Sequence, residues 1–213
     1  MLQEPGLELS ESLQQTAQKG YYAAVTFLDQ QVGRLLDALR TMGLSENTWV
    51  VFTSDHGYHL GWRGQWCKHS LDEQVLRVPL IVRKPGSTSG QHTQAIVELL
   101  DLFPSFCEFA QIPVPNTLDG RSFLPLLENP AAPGKEAAFC QSGNGRTVRT
   151  ARWRLVERFD GSRELYDHDA DPGEFFSVAD AAENAPILST LHSFLEKELG
   201  PLPRKSPRGS GKN

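Results

Sequence analysis

Residues 48–69 read TWVVFTSDHGYHLGWRGQWCKH. The five β-prone residues Trp49-Val50-Val51-Phe52-Thr53 run without polar–apolar alternation. Such a run predicts a strand covered on both faces, as in a parallel sheet flanked by helices. It stops at Ser54-Asp55-His56-Gly57, so a carboxylate and an imidazole leave the strand together. In open α/β sheets ligands sit beyond the carboxyl ends of the strands, which is where this pair falls. Asp55 offers hard oxygen and His56 a borderline nitrogen, and a divalent cation can use both. Two donors do not complete a site, so further ligands have to come from elsewhere.

The loop that follows is punctuated by Gly57, Gly61 and Gly64, which permit tight turns or positive φ. Lys68 arrives thirteen residues after Asp55, a compact point charge suited to an anionic oxygen. Taken singly, these residues have ordinary readings as a capping carboxylate, a surface histidine and a solvated lysine. As a set, with glycines between them, they favour a site.

The chain has 213 residues, 39% of them hydrophobic and four of them tryptophan, enough for a real core. No run of eighteen apolar residues is present, so no membrane-spanning helix is expected. Met1 is followed by Gln3, Glu4 and Glu8, without the basic start and apolar middle of a signal peptide, so the compartment stays open. The formal charge is −5, yet residues 200–213 hold four basic residues and no acid. Without that tail, 17 basic residues face 26 acidic ones, a balance of −9. An acidic body argues against a nucleic-acid partner, which needs a basic face to meet phosphates. The tail, rich in Pro, Gly, Ser and Lys/Arg, reads as disordered. Cys67, Cys107 and Cys140 are too few and too scattered for a zinc C-x-x-C pair or a disulfide framework.

Four regions are expected. Residues 1–18 form a polar lead-in. Residues 19–134 form an α/β core, 135–199 a small antiparallel sheet with a closing helix, and 200–213 the basic tail. From Lys19 to Met42 the apolar positions Tyr22, Val25, Leu28, Val32, Leu35, Leu36, Leu39 and Met42 recur at three and four, predicting an amphipathic helix with a buried stripe. Gly43 is placed as its C′ residue. Helix, short loop and buried strand make half of a βαβ crossover. Arg77–Val82 reads as a second strand, and Thr93–Gln111 as helix interrupted by Pro104. After the Pro130–Gly134 linker come short strands at 137–141, 147–150, 154–159 and 164–167, with Asp160-Gly161-Ser162 as a hairpin turn. Asp167-His168-Asp169-Ala170-Asp171 lacks the glycine and closing glutamate of an EF-hand loop and reads as a turn. Ile187–Leu199 closes the chain as an amphipathic helix.

The stretch VVFTSDHGYHLGWRGQWCKHS, with Tyr21–Val25 before it and Arg77–Ile81 after it, resembles the sulfatase family. Asp-His at the strand end is most similar to the iduronate-2-sulfatase group. The resemblance runs from about Tyr21 to about Leu199. It implies the carboxyl-terminal part of an alkaline-phosphatase-like, doubly wound sheet. It also implies that Asp55 and His56 ligate Ca²⁺ and that Lys68 contacts the substrate's sulfate, with His59, Arg63 and His69 on the substrate side. One departure is Trp62-Arg63, where relatives commonly carry Glu-His between the two glycines; this bears on substrate choice. Implied partners are a sulfated small molecule or glycan and a complementary amino-terminal sulfatase half.

Such sulfatases use a formylglycine made from cysteine in a C-x-P/A-S-R motif. Cys67 is followed by Lys-His-Ser-Leu, Cys107 by Glu-Phe-Ala-Gln and Cys140 by Gln-Ser-Gly-Asn, so none fits. The paired aspartates of the family's first strand are absent too. Covalent catalysis needs an activated nucleophile, so the chain by itself is expected to be inert. A phosphoester or phosphonate-ester hydrolase on the same fold, or a non-catalytic anion- or glycan-binding module, are the competing readings.

Overall fold

A computed structural model describes residues 9–87, 90–143 and 145–202. The tail reading at 203–213, residues 1–8 of the lead-in and residues 88–89 of the loop after Lys84 lie outside the described residues. Those in Met1–His69 and Gln74–Gly90 form one compact unit, and those in Ser70–Glu73 and Gln91–Asn213 form another.

The first unit begins with α1 (Glu11–Thr41). The helix starts eight residues before the predicted Lys19. Gln14, Gln15, Gln18 and Glu11 are good helix formers, and propensity extends the helix without any apolar period. Gly43 ends it as expected, at φ 69°. Leu44 N donates to Leu39 O at 2.9 Å and Gly43 N to Arg40 O at 3.1 Å, the paired bonds of a Schellman cap. None of the residues of α1 is buried. The predicted stripe exists, but Tyr22, Val25, Leu28, Leu35 and Met42 are exposed rather than covered.

The core strand β1 (Val50–Thr53) stands where the sequence puts it. After it come the short strands β2 (His59–Leu60) and β3 (Trp66–Cys67), the single-turn helix α2 (Glu73–Leu76) and β4 (Leu80–Arg83). β1 pairs with β4 antiparallel, Val50 opposite Arg83 and Thr53 opposite Leu80. α1, the short turn and β1 form as the sequence puts them, and the neighbour β1 gains from the following segment runs against it; within the described residues every paired strand is antiparallel. β1 is only half-buried along its length, although its composition suits cover on both faces. No helix of the described residues is long and apolar enough to cross a membrane.

The second unit opens its helical part with α3 (Leu102–Phe109), preceded by a 3₁₀ turn at Leu99–Asp101, and α4 (Leu124–Glu128). The Thr93–Gln111 run, read as helix interrupted by Pro104, forms a 3₁₀ turn and then α3, with its first residues non-helical. Pro104 sits buried in the first turn of α3, where its missing N–H costs nothing. Asp101 explains the break: its carboxylate accepts from Glu98 N and from Arg121 N, both at 2.8 Å, and so caps the turn while holding a distant loop.

β5 (Ala138–Ser142), β6 (Gly145–Arg149), β7 (Trp153–Arg158) and β8 (Arg163–Asp167) form one antiparallel sheet in sequence order. α5 (Ala185–Leu199) lays Leu191 and Leu195 onto Val148, Leu155 and Leu165, the core of this unit. The Asp160-Gly161-Ser162 turn forms as read, with Gly161 at φ 91° and Ser162 N bonded to Asp160 Oδ1 at 2.9 Å.

The texture change near Asn129 falls inside this unit. Lys135 holds both sides together, with its ammonium 2.6 Å from Glu98 and 2.6 Å from Asp101. Phe139 N adds a 2.8 Å bond to Glu98. The Pro-rich segment is therefore clamped to residues 96–101 instead of acting as a linker.

Candidate anion and metal site

β1 delivers Ser54, Asp55 and His56 at its carboxyl end, as its sequence predicts. Two local bonds shape the turn: Ser54 Oγ donates to His56 O at 2.8 Å, and His56 N donates to Asp55 Oδ1 at 3.0 Å. Gly57 then passes close to α2, with its N–H 2.7 Å from Val75 O. A Cβ at Gly57 would meet Gln74 O at 1.9 Å, so glycine is required by close approach and not by φ. Gly57→Ala is therefore expected to cost about 2–3 kcal/mol and to displace the Asp55–His56 turn, as overpacking against backbone does. A thermal melt within about 2 °C of wild type would refute that.

His56 is oriented through one ring nitrogen. Nδ1 lies 2.8 Å from Gly57 O, and a carbonyl can only accept, so Nδ1 carries the proton. The Lys68 ammonium facing Nε2 can only donate, so in this contact Nε2 accepts with its lone pair. It lies 3.3 Å from Asp55 Oδ2 and receives Lys68 Nζ at 2.5 Å. Three groups that are one and thirteen residues apart in sequence thus converge, with the Asp55 side chain 82% exposed.

The donor chemistry fits part of a hard-cation site. Asp55 Oδ2 and the His56 Nε2 lone pair are close enough to share one ion, and the second-nitrogen bond to a carbonyl is the usual way a ligating histidine is held. The Lys68 ammonium uses the same lone pair, so ammonium and cation are alternatives at that atom. Ca²⁺ takes six to eight oxygens, so Asp55 and His56 account for a minority of its shell.

The remaining sequence candidates divide. Arg63 and His69 are exposed. His59 is 1% exposed in β2, stacked on Trp62 with ring centroids 5.4 Å apart and planes 9° apart. It supports the loop from within the unit instead of facing a substrate. Cys67 has φ 71° and accepts from Tyr58 Oη at 3.5 Å, a bond that leads the causes raising the tyrosine's pKa.

A second cluster escaped the sequence reading. Glu73, His168 and Glu174 bring ligand-type atoms within 4.8 Å of one another. Arg154 from β7 fills the space between them: its Nε lies 2.6 Å from Glu174 Oε1, and its Nη2 donates to Glu73. Glu174 also accepts from His168 Nε2 at 2.8 Å and Glu73 N at 2.9 Å. With a guanidinium bridging both carboxylates, the cluster is a buried ion network, not a cation site. The members are 101 residues apart at the widest, which no local pattern signals. The Asp167–Asp171 segment is a turn, closed by Asp171 N on Asp167 O at 2.7 Å.

Comparison with known proteins bears on the family and the fold. The family model described as Sulfatase matches residues 10–112. The N-acetylglucosamine-6-O-sulfatase of Bacteroides thetaiotaomicron is 32% identical over 194 residues, covering 84% of this chain and 35% of that protein. The iduronate 2-sulfatase of Mus musculus is 36% identical over 132 residues, covering 50% of this chain and 24% of that protein. Among solved structures, one in complex with its substrate D-glucosamine-2-N,6-O-disulfate has 31% identity and a TM-score of 0.81, covering 90% of this chain and 43% of that one. The phosphonate monoester hydrolase of Silicibacter pomeroyi has 28% identity and a TM-score of 0.82, covering 94% and 44%. The chain belongs to the sulfatase family, with the alkaline-phosphatase-like fold over the part it covers. It spans about a quarter to a third of the length of these curated relatives. Iduronate 2-sulfatase is among these relatives, though it does not lead them.

Proposed function

We propose that this chain provides the metal- and sulfate-facing loop of a sulfuric ester hydrolase acting on sulfated glycans. The observation that carries the reading is the convergence of Asp55 Oδ2, His56 Nε2 and Lys68 Nζ at the carboxyl end of β1. Asp55 and His56 would hold Ca²⁺, which when bound supplies positive charge for anionic sulfate oxygens. Lys68 donates to a sulfate oxygen, where charge grows as the ester bond breaks. The nucleophile, a formylglycine, and the remaining carboxylates are assigned to a complementary amino-terminal sulfatase segment. That segment would also cover the exposed stripe of α1 and the open edges of the β1–β4 pair. The disulfated amino-sugar substrate of one structural neighbour supports a sulfated glycan.

A second reading, a phosphonate- or phosphate-ester hydrolase, is favoured by the likeness to the Silicibacter enzyme, since the same residues meet a tetrahedral anion. Both readings require Lys68 to bind the anion. Lys68→Ala is expected to weaken binding of a sulfate monoester about tenfold, with no change in melting temperature, as loss of one charge-assisted bond implies. A phosphonate monoester run in parallel ranks the two substrate classes. Unchanged affinity for both esters in Lys68→Ala would remove the basis of the proposal.

A further inference from the structure

We infer that Arg83 docks a carboxylate carried on an otherwise apolar face of the complementary amino-terminal segment; this rests on the reading above, in which such a segment covers this part of the fold. Arg83 ends β4, and its Nε and Nη2 are buried and bond to nothing among the described residues. Burying charged donors without a partner is costly, so the group calls for an acceptor.

The two donors lie on one edge of the guanidinium fork. Arg152 shows what that edge takes in this protein: its Nε and Nη2 meet the two oxygens of Asp167 at 2.8 and 2.6 Å. A carboxylate fits such an edge with two parallel bonds. Glu46 comes near, its Oε2 3.9 Å from where a Cβ on Gly86 would stand, yet among the described residues it forms no bond with Arg83.

The surroundings of Arg83 describe the partner. Val50 stands opposite Arg83 and Phe52 opposite Ile81, and side chains two apart on a strand share a face. Arg83 thus shares its face with Val50, Phe52 and Ile81, and Ile81 is 62% exposed. An element laid on this face meets three apolar side chains and one cation, so it suits an apolar surface with a single Asp or Glu. This chain matches about a quarter to a third of its curated relatives, so a family member has further chain to lay there. Position separates the contact from the anion site. Val50, opposite Arg83, opens β1, while Asp55 and His56 follow its far end, and the strand between is about 10 Å long.

The test is Arg83→Met, which keeps the length and removes the charge. In the full 213-residue chain alone, the melting temperature is expected to stay or to rise by up to about 5 °C, since an unpaired buried charge is lost. A fall of more than about 3 °C would mean that the chain already serves the guanidinium, with Glu46 as the near carboxylate, and would overturn the inference. The partner probe is the N-acetylglucosamine-6-O-sulfatase of Bacteroides thetaiotaomicron without its matched region, co-expressed with this chain. Arg83→Met should weaken that complex at least about thirtyfold, the scale for truncating one member of a buried ion pair, and Arg83→Lys should keep part of the affinity. Affinity that Arg83→Met leaves unchanged contradicts the inference alone, whereas no complex with the wild type contradicts the segment reading beneath it as well. Stabilisation by sulfate over chloride at equal ionic strength, present in the wild-type chain and lost in Arg83→Met, would assign the edge to a free anion and overturn the docking.

Discussion

Given an aryl sulfate, the 213-residue chain is expected to release no phenol above the uncatalysed background. Losing the nucleophile of a covalent mechanism typically costs about a millionfold in kcat, and none of the three thiols here is placed to serve. Cys107 is 3% exposed within α3. Burial pushes the Cys140 thiol up, away from the reactive thiolate. Cys67 lies beside Lys68 but is followed by Lys-His-Ser, not the x-P/A-S-R that formylglycine formation requires. Adding a polypeptide that carries that motif and the first-strand aspartates is expected to restore turnover. The same addition discriminates the non-catalytic module, which would bind ligand and never turn it over. Steady phenol release by the chain alone, abolished by a substitution within residues 1–213, would overturn the assignment.

Glu174→Ala is expected to lower stability by about 3–5 kcal/mol, the usual cost of stranding a buried partner charge. For a chain of this size that is a fall of about 10–15 °C in melting temperature. Glu174 is fully buried and holds Arg154, His168 and the Glu73 N–H at once. Its removal leaves the Arg154 guanidinium, 3% exposed at the side chain, with Glu73 as its remaining carboxylate in that network. The network also sets a pH dependence. Burial by itself would raise the Glu73 pKa, but the Arg154 guanidinium, aided by Arg149, outweighs it and holds the carboxyl below its ordinary value. A carboxyl depressed in the folded state contributes stability that is fully present above its unfolded pKa. That contribution is lost as pH falls through the lower folded value. Thermal melts of wild type and Glu174→Ala at neutral pH, and of wild type down through the acid range, test both points. A shift smaller than about 3 °C would mean the network is spectator packing.

The parts of this fold governed by neighbours in sequence were legible. The unbroken run Trp49–Thr53 announced β1, Gly43 announced the end of α1, and Asp160-Gly161-Ser162 announced the β7–β8 turn. That Asp55, His56 and Lys68 come together was expected, because a strand end presents the first two and a glycine-punctuated loop lets the lysine return to them. Strand partnership was not legible. The apolar run says that β1 wants cover on both faces, but not that β4 returns antiparallel beside it. Nor could sequence place His59 inside: its pattern as a loop histidine is unchanged whether it stacks on Trp62 or faces solvent. The clamp of Lys135 on Glu98 and Asp101, and the Glu73–Arg154–Glu174 network, join residues tens of positions apart. Only the folded backbone brings them together.

The division of labour along the Asp55–Lys68 loop is the central claim, and calcium-dependent melting tests it most directly. With two of its donors in this chain, Ca²⁺ at millimolar concentration should barely move the melting temperature of the chain alone, since stabilisation scales as RT ln(1 + [L]/Kd). In complex with a complementary amino-terminal sulfatase segment, the same calcium should raise it clearly. Asp55→Ala should erase that rise. Lys68→Ala should retain it, because its ammonium competes for the His56 lone pair and serves the anion instead of the ion. Identical calcium responses in Asp55→Ala and Lys68→Ala would contradict the assignment of metal to one end of the loop and sulfate to the other.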